Sequence, residues 1–71
     1  MLSIKGRLVD KDDMIKLLES EGVVIFRTYE YDELMIGAKT HCRIIFNVPD
    51  KETETALRLK YPPGYLEEHD A

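Results

Sequence analysis

One amphipathic stretch decides the fold: residues 9–22, VDKDDMIKLLESEG. Asp10 is placed to cap the N-terminus of a helix, and the two aspartates in the next turn favour the positive end of the helix dipole. Val9 and Met14 are spaced to form a hydrophobic staple across that cap. Gly22 supplies the left-handed residue that commonly ends a helix. The apolar stripe along this helix consists of Met14, Ile15, Leu17 and Leu18.

Strands are predicted on both sides of this helix. Residues 2–8 alternate apolar and polar side chains, which is the pattern of a half-buried strand. Residues 23–31 begin with apolar, largely β-branched side chains and then alternate, which indicates an interior position in the sheet. Residues 41–48 form a clear third strand, and the residues from Gly37 to Thr40 before it are either a turn or a bulge. Because a helix connects the first two strands, we expect those strands to be parallel.

The segment after the third strand has two interpretations. Residues 50–61 contain an alternating run that favours a final strand, whereas a helix capped by Asp50 is the competing interpretation. Pro62-Pro63-Gly64 ends the element in either case. The sequence therefore predicts an α+β domain over residues 1–64, followed by a short acidic C-terminal tail at 65–71. Its expected architecture is a four- or five-stranded, mostly antiparallel sheet with one helix packed on one face, a βαβββ-like order. The side chains expected to form its core are Leu17, Leu18, Phe26, Ile44 and Phe46.

Composition excludes several classes of function. Ten Lys and Arg against fourteen Asp and Glu give a net charge of −4, with both signs interspersed. Nucleic-acid affinity depends on clustered cations that release counterions, so no nucleic-acid partner is expected. No apolar run approaches the roughly 18 residues that a membrane span needs, and the alternating N-terminus predicts no signal peptide. A single cysteine, which cannot form an internal disulfide, fits a reducing compartment, and the cytoplasm is the expected location.

No catalytic or metal-binding pattern emerges from the reactive side chains. Cys42 is in phase with the apolar residues of its strand and is expected in the core, whereas its neighbour His41 points to the opposite face. His41 and His69 lack the spacing of a known metal site. The aspartates near Asp10 lack the glycine and the closing glutamate of a calcium loop. We therefore expect no enzyme activity, no metal and no cofactor.

The aromatic side chains carry the functional prediction. One short helix covers only one face of such a sheet, and an uncovered apolar face with charged neighbours usually marks an interaction surface. The predicted protein-binding residues are Val23, Ile25, Arg27, Tyr29 and Tyr31. The competing interpretation is that the tail, or a second helix at 50–60, covers this face.

The predicted function is accordingly a non-catalytic protein-interaction module. It would be a small regulator or inhibitor, or a homodimerising subunit, that uses a sheet face or an edge strand to bind another protein or a second copy of itself. The alternative is a small-ligand-binding regulatory domain with its ligand at a dimer interface. The sequence leaves the partner and the choice between monomer and dimer open.

Overall fold

The computed structural model describes residues 1–69. Its strands are β1 (Leu2–Arg7), β2 (Val24–Tyr31), β3 (His41–Asn47) and β4 (Leu66–Glu68). Its helices are α1 (Lys11–Ser20) and α2 (Lys51–Lys60), and a 3-10 turn (Leu8–Asp10) precedes α1. Residues 1–69 contain two α-helices, α1 and α2, and neither is long and apolar enough to cross a membrane.

The four strands form one antiparallel sheet in the order β2-β3-β1-β4. β1 and β2 run in the same direction, as predicted from the helical crossover, but β3 is inserted between them. In the same way β1 lies between β3 and β4. The sheet is therefore built from two split β-α-β units, each with a strand of the other inserted between its own two strands. The predicted α+β class and the four-stranded antiparallel sheet are confirmed. Because many unrelated functions use this topology, the fold itself assigns none.

Both helices pack on the same face of the sheet. Leu18 from α1 and Leu57 from α2 belong to one buried cluster with apolar side chains of the two central strands. The strand residues of that cluster pair across the sheet, Leu2 with Phe46 and Ile4 with Ile44, and therefore share a face. The core consequently lies on one side of the sheet only.

The preferred interpretation of residues 50–61 as a strand is wrong, because this segment forms α2. The carboxylate of Asp50 caps the helix by accepting a hydrogen bond from the N–H of Thr53 at 2.7 Å. Leu57 is fully buried, but Leu59 is 83% exposed, so the alternating leucines do not mark one face of a strand. The same residues also fit a helix in which Leu57 faces the core, so the alternation alone does not distinguish a strand from a helix.

The predicted cap of α1 is only partly correct. Gly22 ends the helical segment with a φ of +92°, as expected. Asp10 occupies the N-cap position, but its side chain accepts from Nε of Arg7 at 3.2 Å instead of capping the helix. Val9 is 82% exposed, so the predicted staple with Met14 is not formed. The cause is the 3-10 turn (Leu8–Asp10), which directs Val9 into solvent.

The predicted core is correct at three of its five positions. Leu18, Ile44 and Phe46 are buried, whereas Leu17 is 49% and Phe26 is 55% exposed. Leu17 lies on the flank of α1 that faces a groove, and Phe26 lies at a β-bulge in the outer strand of the sheet.

The predicted tail contributes a strand to the sheet. Glu67 pairs with Ser3 in β4, and the N–H of His69 donates to the carbonyl of Met1 at 2.9 Å. The segment is too short to show a strand pattern, and backbone pairing with β1 is what orders it. The last two residues of the predicted tail, 70 and 71, lie outside the described residues.

Candidate functional site

The face of the sheet opposite the helices is the candidate site, and we call it the open face. Neither helix lies on it, because α1 and α2 share the other side. At its centre lie the small Ser3 and the apolar Ile45, which pair with one another across β1 and β3 and are both buried. Longer polar and aromatic side chains surround that centre. By strand register these are Lys5, Arg7, Arg27, Tyr29, Tyr31, His41, Arg43 and Glu67.

The five predicted binding residues do not share this face. Val23 is buried and Ile25 packs against the core, so both lie on the helix side. Arg27, Tyr29 and Tyr31 are on the open face, opposite Ile45, Arg43 and His41 of β3 respectively. The division arises from the β-bulge in β2 between positions 25 and 27, which reverses the alternation of the strand. The prediction of one continuous face over 23–31 is therefore wrong for its first two residues.

The aromatic side chains form a row along the open face. The ring centroids of Tyr29 and Tyr31 are 6.0 Å apart, and those of Tyr31 and His41 are also 6.0 Å apart. These separations fall within the range of favourable aromatic pairing. Burial raises the pKa of the Tyr31 hydroxyl above its usual range, with Glu33 adding to the effect and Lys5 opposing it. The row combines apolar ring surface with polar hydroxyl groups.

One carboxylate, that of Glu33, contacts both Lys5 and His41 at the end of this row. Glu33 forms an ion pair with Lys5 through one oxygen, and its other oxygen lies 3.0 Å from Nε2 of His41. The hydrogen bond from Lys5 lowers the pKa of Glu33, and the same bond raises the pKa of Lys5. These contacts link β1, β3 and the loop between β2 and β3 on the open face.

The loop between β2 and β3 positions Glu33. The carboxylate of Asp32 accepts hydrogen bonds from the N–H groups of Ile36 at 3.1 Å and Gly37 at 2.7 Å. Burial would raise the pKa of Asp32, but these backbone bonds outweigh it and hold the pKa below its usual value. Gly37, with a φ of +85°, closes a turn, which decides between the two interpretations of this segment. The large apolar side chains that the loop exposes are Leu34, Met35 and Ile36.

The remaining cations of the open face differ in their pairing. Nη1 of Arg43 donates to Oγ of Ser3 at 3.0 Å and lies 3.5 Å from a carboxylate oxygen of Glu67. Arg7 is paired with Asp10. Arg27 alone among the cations of this face has no ion-pair partner within residues 1–69. A surface whose cations are largely neutralised by their own neighbours offers little to a phosphate backbone.

The β2 edge borders the open face and is unpaired on its outer side, because β2 is the terminal strand of the sheet. Two of its apolar side chains, Val24 and Phe26, are exposed. A long edge strand with exposed apolar residues presents unpaired backbone groups to which another strand binds readily. The open face and this edge therefore form one continuous surface.

Cys42 and His41, which are neighbours in β3, lie on opposite faces of the sheet. Cys42 is fully buried, and burial raises the pKa of its thiol, so the reactive thiolate is disfavoured. His41 points to the open face while Cys42 pairs with Gly6 on the helix side, as the strand alternation predicts. Across residues 1–69, no three His, Cys, Asp or Glu side chains lie close enough to hold a metal ion.

Several residues of the open face are absent from the predicted site. Lys5, His41 and Arg43 occupy the strand positions that alternate with the buried apolar residues of β1 and β3. Their parity alone could have placed them opposite the core. Comparisons with protein-family models, curated proteins and solved structures find no match for this chain. The site is therefore interpreted from its own geometry.

Proposed function

We propose that this protein is a non-catalytic interaction module that binds a second copy of itself through the open face. The observation that supports this proposal is that both helices cover one side of the sheet and leave the aromatic row on the other. The competing expectation, a second helix covering that face, does not apply because α2 packs beside α1. The proposal places the protein in the cytoplasm, since its one cysteine is free and buried.

The open face has the composition of an interaction surface. Tyr29 remains 40% exposed and Arg27 is exposed, whereas Ile45 between them and β1 is fully buried. Tyrosine and arginine are enriched among the residues that dominate binding energy. A stable interface covers about 800 Å² on each partner, roughly one sixth of the 4857 Å² that this chain exposes.

A second copy fits this surface for two reasons. In a two-fold symmetric contact each copy presents the same residues, so the unpaired Arg27 of one subunit meets the tyrosine row of the other. A guanidinium over a tyrosine ring is favourable, and more so when the pair is shielded from water. In addition, a core confined to one side of a 71-residue chain supplies little stability, and association offsets this.

The test is sedimentation equilibrium of the wild type and of the double variant Tyr29→Ser/Tyr31→Ser. We expect the wild type to be dimeric and the variant to be a folded monomer, with the dimer dissociation constant raised at least tenfold, as for loss of hot-spot tyrosines worth about 2 kcal/mol. Tyr65→Ser is the matched control, because Tyr65 is an exposed tyrosine outside the open face. It should dimerise like the wild type.

Two outcomes would contradict the proposal. A wild type that remains monomeric at all concentrations excludes the second copy as partner and leaves another protein as the occupant. A double variant that dimerises normally excludes the tyrosine row. If the double variant unfolds, Arg27→Glu is the test instead. This exposed side chain has no ion-pair partner within residues 1–69, so reversing its charge should disrupt only the contact between the two copies.

A further inference from the structure

The opposite edge of the sheet contains a gap. β4 pairs with β1 only at Leu2, Ser3 and Ile4, while β1 continues to Arg7. In the residues just before Leu66 the backbone turns away from β1, because the N–H of Tyr65 donates to the carbonyl of Pro62 at 3.1 Å. The second half of β1 therefore has a neighbouring strand, β3, on one side only.

The alternation of hydrogen bonds identifies which backbone groups face the gap. The N–H of Leu8 donates to Thr40 of the segment leading into β3 at 2.9 Å, so the even-numbered residues of β1 direct their backbone groups towards β3. The odd-numbered residues direct theirs towards β4, as the bond from His69 to the carbonyl of Met1 shows. Past the end of β4, the carbonyl of Lys5 and the N–H of Arg7 point outward, whereas the carbonyl of Arg7 begins the 3-10 turn. The thiol of Cys42 makes only a weak contact with that last carbonyl, at 3.8 Å.

A groove of about 800 Å³ lies at this gap. Met14 and Leu17 of α1 form one apolar wall, and Tyr61 and Tyr65 of the chain before β4 contribute aromatic surface. Gly6 lies at its base, where the end of the Met14 side chain packs against it. The 49% exposure of Leu17 is explained by this position. The groove thus combines unpaired strand groups with an apolar wall.

The charges around the groove favour a basic occupant. Lys5, Arg7 and Glu67 at its rim already have ion-pair partners. Asp13 of α1 also lines the groove and has no ion pair within residues 1–69. A cation on a long aliphatic stem would pack along Leu17 and reach this carboxylate.

We propose that the groove binds an extended, basic peptide segment of a partner protein as an additional strand beside β1. The N–H of Arg7 donates a backbone hydrogen bond to the segment and the carbonyl of Lys5 accepts one from it, as in other cases of β-strand addition. The peptide residue opposite Gly6 points to the helix side, as Gly6 does, and carries a Lys or Arg whose charge meets Asp13. This inference rests on the backbone edge of β1 and on the helix-side wall of the groove, and not on the tyrosine row, although Lys5, Arg7, His41 and Glu67 border both surfaces.

The partner is not a second copy of this chain. The exposed edge strand of a second copy would be β2, whose residues on the helix side beyond the bulge are Thr28 and Glu30. Neither side chain is basic, and Glu30 would meet Asp13 with like charge. A chain with a net charge of −4 also attracts a basic segment more strongly than an acidic one.

The test uses the acetylated, amidated heptapeptide TVTKTVT as probe, with the backbone amides of the protein followed by NMR. We expect the amide signals of Gly6 and Arg7 to shift on titration to about 1 mM peptide. The Lys-to-Glu peptide and the protein variant Asp13→Asn should each bind about tenfold more weakly. Leu17→Ser should also weaken binding, because this half-exposed side chain forms the apolar wall.

Three results would overturn the inference: no shift at Arg7, shifts confined to Tyr29 and Tyr31, or equal binding of a peptide whose backbone amides are N-methylated on the pairing edge. The last result would show an ion pair without strand addition. Tyr29→Ser/Tyr31→Ser is the control and should bind the heptapeptide as the wild type does. Loss of self-association in that variant with retained peptide binding separates the two proposals.

Discussion

Replacing Leu18 with alanine tests the packing of α1 most sharply. Leu18 is 1% exposed and belongs to the buried cluster that joins both helices to the sheet. Leucine-to-alanine substitutions at such sites cost about 2–5 kcal/mol, because apolar contacts are lost and a cavity remains. A domain of this size has a free energy of unfolding of roughly 4–11 kcal/mol, at about 0.05–0.15 kcal/mol per residue. We therefore expect Leu18→Ala to remove a large fraction of the total stability.

Urea unfolding followed by far-UV circular dichroism measures this loss. With an m-value of about 1 kcal/mol per molar urea, a loss of about 3 kcal/mol lowers the midpoint by roughly 3 M. The matched control is Leu17→Ala in the same helical turn, which should cost less than about 1 kcal/mol because Leu17 is already half exposed. Equal costs for the two variants, or a loss below 1 kcal/mol for Leu18→Ala, would refute the assigned helix face.

Three further predictions concern individual contacts. Asp50→Ala should lower the melting temperature above pH 4, because the hydrogen bond from Thr53 lowers the pKa of Asp50 below 3.8; this stabilisation is lost as pH falls through the lowered pKa, so melting curves of variant and wild type should converge in acid. Gly6→Ala should cost less than about 1 kcal/mol in urea unfolding, because its Cβ would meet Sδ of Met14 at the flexible end of that side chain, which moves aside; a loss above about 2 kcal/mol would contradict this. Cys42 should react with a thiol reagent slowly in the native protein and rapidly in denaturant, and equal rates would place the thiol at the surface.

Local patterns in the sequence predict the central strands and α1 well. Each of these elements carries a signal that its own residues supply, such as the alternation that buries Ile4 and Ile44 or the positive φ available to Gly22. The same parity places Lys5 and Arg43 on the opposite face. These predictions succeed because the hydrophobic pattern and the backbone preference agree.

The remaining features depend on tertiary contacts. The bulge at Phe26 reverses the faces of β2. No residue marks this bulge in the sequence, because the strand contains no glycine. Leu57 and Leu59 fit a strand pattern, but only packing against α1 and the sheet decides that Leu57 alone is buried. Leu66 joins the sheet because β1 offers a free edge, which three residues cannot reveal by themselves.

The central claim is that the open face binds a second copy of the chain, and a concentration series of the wild type by NMR tests it most directly. Self-association should shift the amide signals of Arg27, Tyr29, Tyr31 and Ile45 as concentration rises, while the exposed surfaces of both helices remain unchanged. The apparent mass should double over the same range. Concentration-dependent shifts confined to α1 and α2, or no shifts together with a constant monomer mass, would contradict the claim.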